Sequence, residues 1–111
     1  MGIRIWFCVL SLAASFPVAA QTCTLPDTLW ERPRSGQIVL ALPELRACVQ
    51  GFLDQPDAAL MIHHGMADEA ALRAAELRYW LIALALDGAR IDLKNDLQIN
   101  EPLKIEIRNQ K

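Results

Sequence analysis

The chain has no run or stripe of basic residues, no glycine-rich phosphate loop, no nucleophile elbow and no paired metal-ligand motif. The first absence removes nucleic acid from the expected partners, because a protein that holds a phosphate backbone gathers Lys and Arg on one face. The others leave no signature of nucleotide, serine-nucleophile or metal chemistry, so the expectation is a non-enzymatic protein with no cofactor and no metal. Internal repeats and low-complexity tracts are missing as well. The 111 residues are expected to make one compact domain.

A long apolar run is also missing. The stretch "MGIRIWFCVLSLAASFPVAA", residues 1–20, has one positive charge at Arg4, an apolar core from Ile5 to Leu12 and small residues up to Ala20. Ser11, Ser15 and Pro17 interrupt it within the ~18 residues that a membrane span needs. This is the layout of a cleavable secretory signal, with a mature chain beginning near Gln21, no stable span thereafter, and a periplasmic or secreted location. Its removal takes Arg4 from the 11 Lys and Arg, leaving ten against 13 Asp and Glu, a charge of about −3 with His neutral.

Cysteine is scarce: three in the chain, of which Cys8 leaves with the signal. Cys23 follows Thr22, whereas lipid attachment usually wants Gly, Ala or Ser before the cysteine. Cys23 and Cys48 are then an even pair in an oxidising compartment, which favours one disulfide. Neither sits beside a second thiol or a histidine, so a structural role is expected over a metal or catalytic one. Closing such a loop stabilises by roughly 3 kcal/mol in the chain-entropy model, a sizeable share of the stability of a chain of about 90 residues.

Residues 21–40 form an extended lead-in, tied down by that disulfide, with two prolines in "TCTLPDTLWERPRS" and at most a short strand around Thr28–Glu31. The domain proper is expected over residues 41–111. Pro43 suits a first helical turn, Leu45, Val49, Phe52 and Leu53 repeat at helical intervals, and Pro56 closes the element. Cys48 on the same flank would set the disulfide at the edge of the core. "AALMIH", Ala58–His63, is short, apolar and flanked by turn residues, which argues for a strand covered on both faces.

A long helix over 67–87 follows, with Asp68 and Glu69 favourable at its N-terminus and Gly88 as its cap. Ala70, Ala74, Leu77, Leu81 and Leu84 trace its buried stripe, while Glu69, Arg73 and Glu76 take the opposing side. From Tyr79 to Leu86 it is apolar all round, which predicts burial by more than one neighbour. "ARIDL" (89–93) and "LKIEI" (103–107) alternate as strands with one wet face, joined by a long connection over 94–102. The order is thus β-α-β-α-β-β, with a βαβ unit from 58 to 93. It predicts an α/β (α+β) two-layer sandwich, helices on one face of a mixed sheet.

"IHHGMAD", residues 62–68, stands out at the junction of strand and helix. Adjacent strand residues point to opposite faces, so His63 and His64 do not ligate one ion together; a zinc site would need Asp68 or Glu69 as helpers. The open alternatives are a histidine lining a pocket and two ordinary strand-end residues. Arg78 is either a ligand-binding arginine or a half-exposed partner of a nearby acid. Trp80 either packs in the core or is exposed as a contact for a sugar or protein.

Together, "IHHG", the acidic helix start and "AELRYWLIALALDGARIDL" resemble the C-terminal OmpA-like domain, over roughly residues 40–107. In that family a strand runs into a Gly-His-x-Asp-type loop, and a helix carries an arginine after a leucine. A further apolar run then leads to a Gly-x-x-x-Arg-Ile pattern. The resemblance implies a module that grips peptide stems of peptidoglycan, with an Asp and an Arg holding the zwitterionic diaminopimelate end. By it, Arg78 would hold a carboxylate, Asp68 an amine, and His63 or His64 would line the pocket. The second expectation is a protein-interaction or assembly subunit of an envelope complex, using the open sheet face or Trp80. Convergence of Arg78, Asp68 and a histidine favours the first; a contiguous apolar patch with those residues scattered favours the second.

Overall fold

The structure, a computed structural model, describes residues 21–109, so the expected signal over residues 1–20 lies outside the described residues. Strand β1 (Gln21–Thr24) leads through a 3-10 turn (Asp27–Glu31) to helices α1 (Gly36–Leu40) and α2 (Pro43–Leu53). Strand β2 (Ala58–His64), helix α3 (Asp68–Ala83), a 3-10 turn (Gly88–Arg90) and strands β3 (Ile91–Asn95) and β4 (Lys104–Asn109) complete the chain.

The four strands make one mixed sheet in the order β1-β4-β2-β3. Strands β2 and β3 are parallel, as the crossover through α3 requires, and β4 runs antiparallel to both β1 and β2. Helix α2 packs against β1, β4 and β2, and α3 against β2 and β3. Leu45, Cys48 and Phe52 of α2 and Ala74, Leu77 and Leu81 of α3 meet Leu60, Ile62, Ile105 and Ile107 of the sheet in one core. The alternate residues of β2, Ala59, Met61 and His63, point the other way, paired in register with Arg108, Glu106 and Lys104. Ala59 and Met61 are nonetheless buried, because β2 is an interior strand with long side chains standing on both sides of it.

The lead-in is more ordered than an extended segment. Residues 28–31, where at most a short strand was expected, lie in a 3-10 helix (Asp27–Glu31) that starts after Pro26, with Leu29 N–H donating to Pro26 O. The strand instead lies at Gln21–Thr24, where Cys23 pairs in register with Ile105. The Cys23–Cys48 disulfide, with Cα atoms 6.1 Å apart, fastens this edge strand to α2. Cys48 is fully buried and Cys23, on the edge strand, is 9% exposed, so the bridge enters the core from its edge. Ser35 accepts a hydrogen bond from the Ile38 N–H and caps α1, which buries Val39.

Helix α3 stops at Ala83, earlier than the expected 87, and Gly88 is not its cap. The chain leaves the helix at Ala85, which has φ 79°. The Ala85 N–H donates to Ile82 O and the Leu86 N–H to Leu81 O, the paired bonds of a Schellman motif with the buried Leu86 beside it. Gly88 instead lies under the ends of two side chains of α3. A Cβ there would stand 2.9 Å from Ile82 Cδ1 and 3.3 Å from an Arg78 nitrogen. The C-terminal half of α3 is also less covered than its composition predicts, with Tyr79 70% exposed. Arg90 then ties the start of β3 to the α2–β2 junction, donating to Gln55 O and Ala58 O with its guanidinium 4.0 Å from the ring centroid of Phe52 at the end of α2.

Among the described residues no helix is long and apolar enough to cross a membrane. The left-handed Ala85 carries a Cβ where glycine would carry none, at a cost of about 1 kcal/mol. Ala85→Gly is therefore expected to raise the unfolding free energy in urea titrations by about 0.5–1 kcal/mol; an equal or lower midpoint would show that the cap is not under this strain.

Candidate functional site

The two histidines end β2 on opposite faces and both serve the β3–β4 loop. On the open face, His63 Nδ1 lies 2.8 Å from Asp96 Oδ1, and its Nε2 lies 2.9 Å from Glu106 Oε1. His64 is buried, with Nδ1 donating to Gly65 O, and its backbone carbonyl accepts from both the Asp96 and Leu97 N–H groups. Gly65 completes the clamp. A Cβ on it would come 3.0 Å from Gln98 O, so a side chain here would press on the loop backbone. The loop then closes on itself, the Gln98 N–H donating to Glu101 Oε1 and the Glu101 N–H to Gln98 O, with Asn100 at φ 72°.

The far half of that loop walls a cleft of about 230 Å³ at the start of α3. Ile99, Asn100, Glu101 and Leu103 form one side, Gly65, Ala67, Glu69, Ala70 and Arg73 come from the β2–α3 junction, and the lead-in adds Asp27 and Trp30. Arg73 pairs with Glu69 at 3.1 Å one helical turn away, and its guanidinium carbon lies 5.9 Å from the Trp30 ring centroid. Trp30 is held there by Arg34, which lies 5.3 Å from the same ring and donates to the Trp30 carbonyl. Arg34 in turn forms a two-bond fork to Glu76 of α3, at 2.7 and 2.8 Å. The Glu76 carboxylate also accepts from Trp80 Nε1.

The residues expected to share a ligand are scattered. Arg78 turns away from the cleft and donates to Gly88 O at 2.9 Å and to Ile91 O at 3.3 Å, tying α3 to the turn before β3. Asp68 is exposed at the first residue of α3, ten residues before Arg78 and hence about 15 Å away along the axis. His64 faces the core and His63 the open face. Trp80 is half-buried against the core. The cleft arginine is Arg73, which an amphipathic reading consigns to the wet side. One signal for it was present: Leu72-Arg73 is an arginine after a leucine just as Leu77-Arg78 is. Trp30 and Asp27 gave no signal, since both belong to the lead-in.

His63 also lines a shallow pocket of about 310 Å³ on the open face with Thr22, Asp96, Leu97, Lys104 and Glu106. Its two nitrogens engage carboxylates on opposite edges of the ring, which leaves neither directed at a shared ion. Among the described residues no group of three His, Cys, Asp or Glu side chains is placed to hold a metal. Compared with known protein families, with curated proteins and with solved structures, the chain has no match.

Two carboxyls here are held below their ordinary range. Glu76 is lowered first by the hydrogen bonds from Arg34, against its partial burial, and Glu106 first by His63, then by Arg108. A depressed carboxyl stabilises the fold above the ordinary value near ~4.3 and loses that contribution as pH falls through its folded value. Stability in urea is therefore expected to decline below about pH 4.5. Glu76→Gln should be less stable than wild type at pH 7, with the gap narrowing at pH 3; a gap independent of pH would show that packing and not charge is lost.

Proposed function

We propose that the protein is a small non-enzymatic binding module of the cell envelope, and that the cleft at the start of α3 takes the zwitterionic end of a peptidoglycan peptide stem. The observation that carries this is the meeting, in one cleft, of the Arg73 guanidinium, the Trp30 ring and the carboxylates of Asp27, Glu69 and Glu101. Arg73 offers planar paired donors to a carboxylate, and Asp27 offers the acceptor for an amine. A four-stranded mixed sheet with helices packed on it is compatible with the OmpA-like reading, although two 3-10 turns and the short α1 are added to the expected β-α-β-α-β-β order. The buried disulfide suits a location outside the cytoplasm.

Co-sedimentation with purified peptidoglycan sacculi tests this. Wild type should pellet, Arg73→Ala should reduce the pelleted fraction by about tenfold, as expected for one lost charge-assisted pair, and Arg78→Ala should still pellet. Retained binding in Arg73→Ala, or loss only in Arg78→Ala, would place the site elsewhere.

A second reading, an assembly subunit of an envelope complex, is the one that the scattering of Arg78, Asp68 and the histidines favours, and an exposed apolar stripe adds to it. Leu72, Ala75, Tyr79 and Ile82 are all exposed, with Leu72 and Tyr79 each at 70%, and their spacing of three, four and three residues lines them up on the outer side of α3. A photo-crosslinker placed at Ala75 should then yield one discrete adduct with an envelope protein in cells, lost in Leu72→Asp/Tyr79→Asp; no adduct counts against this reading.

A further inference from the structure

His63 lies between two carboxylates that belong to different parts of the fold. Glu106 is on β4, inside the sheet, and its side chain is 16% exposed. Asp96 begins the β3–β4 loop, and its side chain is 48% exposed. A neutral imidazole has one N–H and one lone pair, so it donates to one carboxylate and repels the other; only the imidazolium donates to both. The other charged groups around the ring are Lys94 of β3 and Lys104 of β4, its partners in register, and Arg108, which binds Glu106 at 3.0 Å. Thr22 of β1 and Leu97 add no charge to the same pocket. When the ring loses its second proton, Glu106 keeps Arg108, whereas the exposed Asp96 has water as its ready alternative partner.

The consequence reaches the cleft through the chain itself. Asp96 is followed by Leu97, whose N–H donates to His64 O, and by the closed turn Gln98–Glu101. Ile99, Asn100 and Glu101 are the cleft wall opposite the start of α3. We propose that His63, in its doubly donating form, is a proton-operated latch on the β3–β4 loop, so that the cleft is walled at mildly acidic pH and loosens as pH rises. Histidine is the side chain that ordinarily changes charge between pH 5 and 8, and the loop is the bistable element that change would bias. The link to ligand binding rests on the reading of the cleft given above; the latch does not.

Amide hydrogen exchange of the folded protein at pH 5.5 and pH 8, corrected for intrinsic rates, tests the latch without a ligand. Protection of the Asp96, Leu97 and Glu101 amides is expected to fall by about tenfold from pH 5.5 to pH 8, the loss of one charge-assisted hydrogen bond, while Ile62 and Ile105 in the sheet stay protected. His63→Gln, which cannot donate from two opposite ring edges, and Asp96→Asn should both show loop protection that no longer depends on pH. Wild-type loop protection unchanged between the two pH values, or a dependence that survives in His63→Gln, overturns the proposal. Co-sedimentation with sacculi at the same two pH values then tests the coupling. Stronger pelleting at pH 5.5 supports it, and equal pelleting despite a moving loop overturns it. Absence of pelleting at both values overturns the cell-wall reading, while the exchange data still decide the latch.

Discussion

Strand β2 sits between β3 and β4 with both of its edges paired, and six of its seven residues are buried. An apolar strand in that position leaves water only when partners stand on each side and a layer covers at least one face. The chain supplies the parallel partner locally, by crossing over through α3. It supplies the antiparallel partner only at its far end, through β4, and β4 then needs β1 on its own free edge. The disulfide makes that last addition secure, because a four-residue edge strand holds few hydrogen bonds of its own. Fold closure therefore depends on contacts between the two ends of the described chain, mediated by β4.

The same arrangement determines what the end of β2 can do. Where the strand runs out, its last residues lie beside the start of the β3–β4 loop, and His63, His64 and Gly65 each take hold of it in a different way: a side-chain bridge, a main-chain carbonyl and an absent Cβ. The tripeptide that invites a metal-site reading is thus a loop clamp. It also sets the wall of the cleft in which Arg73, Trp30 and several carboxylates meet.

Arginine shows how little a side chain's chemistry says about its role before the fold is known. Arg78 and Arg90 donate to backbone carbonyls at the junctions of helices and strands, Arg34 pins the lead-in to α3 through Glu76, and Arg73 lines the cleft. Each is half-buried and carries the same fork of donors. What distinguishes them is which carbonyl, carboxylate or ring stands nearby.

The sequence by itself determined the central elements: a helix opened by Pro43, the apolar strand from Ala58, the βαβ crossover with its buried stripe at Ala74, Leu77 and Leu81, two alternating strands, and the pairing of Cys23 with Cys48. These follow from periodicity and local chemistry, which act over a few residues and so are written in short stretches of chain. Only the tertiary structure decided that the lead-in is a strand, a turn and the short helix α1, that α3 stops at a left-handed Ala85, and that Arg73 and not Arg78 lines the cleft. Trp30 reaches Arg73, and His63 reaches Asp96 and Glu106, across more than thirty residues of intervening chain. Such meetings are set by how layers pack and loops close. No local pattern carries that information.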